Sequence, residues 1–222
     1  MKDVVVHLST NLDAFAHEKN PEYAPDTLHQ AMKATEKAKG CLLYYFPLSS
    51  KDAASEDSWI GWHNDSGFLT ALAGDLYVND DTGEVLPEPP DPNAGLYVVD
   101  RQDRIVHVSI PDDCMAVQMG ECVQFLTGGS VVATPHCVWG AQSGNRLPVA
   151  RISLPCFIDM PPNVPLCMPL RGCTQEQVLT AGVGSSRVPP LSAKWTHDGM
   201  RFGDFLQKTF SLYYDWSSRK AE

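Results

Sequence analysis

No stretch of this chain is apolar for the roughly 20 residues that a membrane-spanning helix needs, so a helical transmembrane protein is not expected. A secretory leader is not read either. MKDVVVHLSTNLDAF has one Lys and a short apolar patch before it turns polar, without a long apolar centre or a small-residue cleavage site. A soluble protein of the cytoplasm is the expectation. Positive charge is scarce: 17 Lys and Arg stand against 27 Asp and Glu, for a formal net charge of -10. The basic residues are scattered rather than gathered into a stripe that could follow a phosphate backbone, so nucleic acid is not an expected partner. Cysteine pairs with metal-ligand or redox spacing are missing. Cys41, Cys114, Cys122, Cys137, Cys156, Cys167 and Cys173 are odd in number and include no CxxC. That argues against a disulfide framework and a structural zinc site, and for reduced thiols. Internal repeats and low-complexity segments are also lacking.

What is present suits one sizeable globular domain: 222 residues, 43% of them hydrophobic and 20% charged. Residues 4–39 read as helical, with a break at Pro21 and Pro25. The second helix is expected from the N-cap candidate Asp26 to Lys39, closed by Gly40. From Cys41 the texture changes to short segments rich in Val, Ile and aromatics, bounded by Gly, Pro or Asp. CLLYYFPL, WIGWHND, GFLTALAG and DLYVND are followed by the hairpin candidate GLYVVD–RQDR–IVHVSI. MAVQMG, CVQFLTGG, SVVATPHCVWG and VARISLPCFIDM complete the series. Many short strands at this spacing predict an antiparallel sandwich or barrel, and the alternation of a doubly wound fold is absent. Lys51–Ser58 and the Pro- and acid-rich Asp80–Gly95 read as loops, the latter exposed. Helix is expected again at Thr174–Ala181 and Phe202–Tyr214, joined by a flexible Gly182–Ser192 linker.

Three groups of residues carry chemistry. In His63-Asn64-Asp65, positions two apart on a strand share a face, so an imidazole and a carboxylate aim at one point. His136 follows 71 residues after Asp65, in TPHCVWG. Two His and one carboxylate on one side of a metal make the facial triad of non-haem iron(II) oxygenases, which leaves positions open for a bidentate cosubstrate and dioxygen. Either His alone is more often a satisfied core or surface residue. Arg151-Ile152-Ser153 lies 15 residues beyond His136 and puts a guanidinium and a hydroxyl on one strand face, a pair suited to a carboxylate. An Arg inside the apolar run VARISLPCF calls for a partner, either a protein acid or a ligand.

With these residues in view, WHNDSGFLTAL resembles the HxDxGxxTxL motif of the isopenicillin N synthase-like 2-oxoglutarate/iron(II) dioxygenases. GLYVVD through TPHCVWG is similar to the block that leads to that family's last His. RISLPCF resembles its RxS run, and CLLYYFP its NYYP strand. The resemblance covers residues from about 26 to 170, in the family's order. It implies a mainly β fold with flanking α-helices, a double-stranded β-helix or jelly roll, with iron at its mouth. The division implied is a helical segment 1–40, shortened relative to the family, a catalytic core 41–170 and a helical extension 171–222. His63, Asp65 and His136 are assigned to Fe(II), and Arg151 and Ser153 to the distal carboxylate of 2-oxoglutarate. Tyr45 is chosen as the tyrosine touching that cosubstrate, although alignment on Pro47 favours Tyr44 and Phe46. The implied reaction oxidises a small organic substrate with dioxygen, converts 2-oxoglutarate to succinate and CO2, and draws on ascorbate as an accessory reductant.

Departures from the family pattern lie at Cys137, where Arg is common, and at Glu121, where Asp is common. The Asp80–Gly95 loop is long, and Gly140–Arg146 reads as an insertion. Trp59 and Trp62 are read as core packing ahead of a substrate wall, and Met115, Met119, Met160 and Met168 as core fillers. Two other functions compete: an iron oxidase that does not use 2-oxoglutarate, and a jelly-roll binding protein without catalysis.

Overall fold

Two helices lead the chain, α1 (Lys2–Lys19) and α2 (Thr27–Ala34). The computed structural model describes residues 1–48, 59–141, 147–182 and 186–220, with side chains in the last helix up to Tyr213. The loop expected at Lys51–Ser58, most of the insertion and part of the Gly182–Ser192 linker lie outside the described residues. Asp26 takes the N-cap position of α2 with a left-handed φ of 64° and no side-chain cap. The capping comes instead from α1. Buried Asp13 accepts the backbone N–H groups of Leu28 and His29 and the Tyr23 hydroxyl, at 2.8, 2.8 and 2.5 Å. The carboxylate meets donors that the first helical turn cannot satisfy internally.

The expectation of helix to Lys39 needs correction. α2 stops at Ala34, because Thr35 is extended and its hydroxyl donates to the Asp159 carbonyl at 2.6 Å. The next residues form β1 (Ala38–Gly40), which pairs with β11 (Pro155–Ile158). A ladder with a distant strand has overridden helix propensity.

Every strand pairing among the described residues is antiparallel. One sheet has the order β1–β11–β4–β8, with β4 at Leu69–Leu72 and β8 at Ala116–Met119. A second runs β3–β9–β6–β7, where β3 is Ile60–His63, β9 His136–Trp139, β6 Gly95–Val99 and β7 Ile105–Val108. The expected hairpin is β6–β7. A third sheet sets β10 (Val149–Ser153) between β2 (Leu43–Tyr45) and β5 (Leu76–Asn79). The fold is therefore mainly antiparallel β with flanking helices.

CVQFLTGG, expected as a strand, is a helix: α3 spans Glu121–Leu126. Its apolar run suits a buried helix as well as a strand. Gly128 and Gly129, at φ 62° and 83°, turn the chain away after it. β12 (Pro165–Leu166) pairs with β13 (Met200–Arg201), and the chain ends through α4 (Gln175–Thr180), α5 (Leu191–Lys194) and α6 (Phe202–Lys220). α4 carries a full capping box between Thr174 and Gln177. The main core joins these helices to the first sheet. Phe125 stacks on Trp195 at 4.7 Å and meets Phe205 edge-on at 5.2 Å. Burial of three such aromatics contributes several kcal/mol, at about 25 cal/mol per Å². Met160 is buried there, with Met115, Met119 and Met168 packed against it. None of the seven cysteines is in a disulfide. Among the described residues no helix is long and apolar enough to cross a membrane.

Candidate metal centre

β3 and β9 lie side by side with His63 opposite His136 in register, and the ladder is irregular between Ile60 and His63. This adjacency explains how two histidines far apart in sequence meet. Their rings are 4.0 Å apart, and Asp65, just past the end of β3, brings Oδ1 to 3.9 Å from His136 Nε2. One ligand atom from each of His63, Asp65 and His136 lies within 4.8 Å of the others, a spacing a single ion can span.

The neighbours of these side chains point the same way. A carbonyl can only accept, so the ring nitrogens bonded to carbonyls carry the protons. His63 Nδ1–H donates to Gly61 O at 2.8 Å, and His136 Nδ1–H to Thr134 O at 3.1 Å. With Nδ1 committed to a carbonyl, Nε2 is the ring nitrogen each histidine can offer a metal. The Gln118 side-chain amide also touches His136 Nδ1. Burial, with His63 alongside, pushes the His136 imidazole down to about 4, although Asp65 opposes this. His136 is therefore neutral near pH 7. Thr70 donates to Asp65 Oδ2 at 2.6 Å, which fixes the carboxylate and leaves Oδ1 facing the histidines. Two imidazoles with Nδ1 held by carbonyls and one oriented carboxylate form a donor set that fits Fe(II).

The turn after Asp65 is tightly packed. A Cβ on Gly120 would come within 2.2 Å of the Gly67 carbonyl, so the two backbones approach to a distance only glycine permits. Glu121 reinforces the turn from α3. Its backbone N–H donates to Asp65 O at 2.8 Å, and its carboxylate accepts from Asn64 Nδ2 at 3.1 Å and from Lys194. Glu121 and Lys194 are almost fully buried, and the Tyr213 hydroxyl accepts from Asn64 N–H at 3.1 Å. A buried ion pair thus ties the Asn64 segment to α5 and α6.

A cavity of about 470 Å³ opens beside the three candidate ligands and reaches Tyr45, Arg151 and Ser153. Arg151 and Ser153 are both buried and lie on one face of β10. Tyr45 is Arg151's cross-strand neighbour in β2, with the guanidinium 4.6 Å from its ring centre, a cation–π contact. Tyr44 and Phe46 are exposed, and the Tyr44 hydroxyl donates to Asp80. Residues from the Asp80–Gly95 loop, including Leu86, Pro87 and Glu88, line the cavity. Trp59 and Trp62 do not line it. Trp59 packs near Tyr45 and Tyr77, and Trp62 sits in a cluster with Tyr97 and Cys137.

Several contributors went unread in the sequence. Asp75, just before β5, accepts from Arg151 Nη2 at 2.7 Å. Burial pushes the Tyr77 phenol, also in the cavity wall, up to about 12 against the lowering effect of Arg151. Lys194 and Tyr213 had no motif to announce them. Thr70 is the threonine of the HxDxGxxTxL pattern, so a signal for it existed.

No protein-family model matches the chain, and no curated protein matches it by sequence. Solved structures do. JOX2 in complex with 2OG, Fe and JA superposes with a TM-score of 0.51 at 20% identity, over 92% of this chain and 49% of that one. T7H of Neurospora crassa, in complex with alpha-KG and thymine, gives a TM-score of 0.51 at 14% identity, over 90% of this chain and 54% of that one. The likeness is one of fold, and the chain spans about half the length of these structures.

Proposed function

We propose that the chain is an Fe(II)- and 2-oxoglutarate-dependent oxygenase acting on a small organic molecule. The observation that carries this reading is the convergence of His63, Asp65 and His136 in the wall of a cavity that buried Arg151 also lines. His63, Asp65 and His136 would hold Fe(II), and Arg151 with Ser153 would hold the distal carboxylate of 2-oxoglutarate, with Tyr45 against it. Arg151 Nε and Nη1 are buried without a hydrogen-bond partner among the described residues, as expected of donors that await a ligand. Two solved structures of the same fold hold 2-oxoglutarate, and their second organic molecules support a small-molecule substrate here.

When bound, the metal would supply activation of dioxygen and oxidation of 2-oxoglutarate to succinate and CO2. The chain's own residues have simpler tasks. The Gly61 and Thr134 carbonyls hold both imidazoles in the ligating tautomer. Thr70 aims Asp65. Arg151 and Tyr45 would anchor the far end of the cosubstrate, and Leu86, Pro87 and Glu88 contribute to the wall that would shape the space for substrate. The reading extends to closure of the sheets into a double-stranded β-helix, to kinship with the isopenicillin N synthase-like group, to cores and extensions divided near residues 40 and 170, to ascorbate as accessory reductant, and to the cytoplasm.

Metal loading with product analysis tests it. The parent protein binds one equivalent of Fe(II) and, in air, forms succinate from 2-oxoglutarate. Asp65→Ala binds no Fe(II) at comparable concentration and forms none. A folded parent that binds no Fe(II) contradicts the proposal.

A further inference from the structure

Arg151 is the sole Arg or Lys lining the cavity among the described residues, and Asp75 already touches it. A guanidinium offers a carboxylate two two-pronged faces, Nε with Nη2 and Nη1 with Nη2. Asp75 holds Nη2, the nitrogen common to both, while Nε and Nη1 have no partner among the described residues. With Nη2 engaged, a second carboxylate can form neither two-pronged contact in full, and at Nε or Nη1 it would stand close to the first on a single positive charge. The two partners also differ in freedom. The Arg151 side chain is 6% exposed and clamped beside Tyr45, whereas Asp75 is 23% exposed on the loop that enters β5. Solvent is therefore within reach of Asp75 and not of Arg151.

We propose, resting on the cosubstrate reading above, that Asp75 is a built-in competitor for the distal carboxylate of 2-oxoglutarate. It leaves Arg151 when 2-oxoglutarate binds, and it sets the preference of the cavity among 2-oxo acids. A cosubstrate with a distal carboxylate gains Arg151 only by breaking an existing ion pair. A 2-oxo acid of the same length without that carboxylate leaves the pair in place. The parent's discrimination between the two is therefore compressed.

Calorimetric titration of the Fe(II)-loaded full chain without oxygen tests this, with 2-oxoglutarate and 2-oxopentanoate as probes. In the parent, 2-oxoglutarate is preferred by only a few-fold. Asp75→Asn tightens 2-oxoglutarate by about tenfold, the scale of one charge-assisted hydrogen bond, and leaves 2-oxopentanoate unchanged. Asp75→Glu keeps a competing carboxylate and the parent's ratio. In the absence of cosubstrate Asp75→Asn melts below the parent, since Arg151 loses its partner, and 2-oxoglutarate closes the gap. A parent preference of about a hundredfold overturns the proposal without recourse to any variant. So does an unchanged or weakened 2-oxoglutarate affinity in Asp75→Asn, which would make Asp75 a mere prop for Arg151. If Fe(II) binds but neither acid binds any of the proteins, the cosubstrate reading falls with it. If 2-oxoglutarate binds tightly at equal ratios throughout, competition alone falls.

Discussion

Each candidate ligand owes its role to a second residue that fixes its orientation. Asp65 can offer one oxygen to a metal because Thr70 holds the other at 2.6 Å. Thr70→Val keeps the shape and removes that bond, so Fe(II) affinity should fall about tenfold or more in a direct metal titration, with the fold retained. His136 is oriented by the Thr134 carbonyl and kept neutral by burial. His136→Ala should abolish Fe(II) binding at concentrations that saturate the parent. Arg151 is legible from sequence as a buried cation in need of a partner, but the partner's identity is not. Asp75 belongs to an ordinary loop, AGDLYV, and meets Arg151 only because β5 and β10 pair with Tyr77 opposite Arg151. Nothing local in the sequence encodes that pairing.

At the scale of elements, the site hangs between two supports. The first is the β3–β9 ladder, which sets His63 against His136. The second is the buried network that runs from Asn64 through Glu121 to Lys194. Lys194→Met would strand the Glu121 carboxylate in a site where it is 1% exposed, at a cost of about 3–5 kcal/mol in chemical denaturation. The double variant Glu121→Gln/Lys194→Met should recover a large part of that loss, because no unpaired charge remains. Gly120→Ala should also destabilise, by about 1–3 kcal/mol, since a Cβ there meets the Gly67 carbonyl. Most strands could be read from their alternation and turn residues. The misreadings have physical causes. CVQFLTGG carries no period that separates a short strand from a buried helix, and only packing against Trp195 and Phe205 decides for α3. DTLHQAMKATEKAKG has good helix formers to its end, yet pairing with β11 takes its last residues into β1.

Taken whole, the molecule brings three ligand candidates and one guanidinium into the lining of a single cavity. The motifs that made this legible are short and widely separated, and their order along the chain was the signal. The terminal helices gave no such signal, although α5 and α6 supply Lys194 and Tyr213 to the back of the metal-site turn. The measurement that tests the central claim most directly is an anaerobic titration of Fe(II) and 2-oxoglutarate, following the weak visible charge-transfer band that a chelated 2-oxo acid gives on iron. The account predicts a band in the parent, none in His136→Ala, and a band in Arg151→Ala that needs a much higher 2-oxoglutarate concentration. A well-folded parent that binds Fe(II) yet shows no band at any 2-oxoglutarate concentration would contradict it.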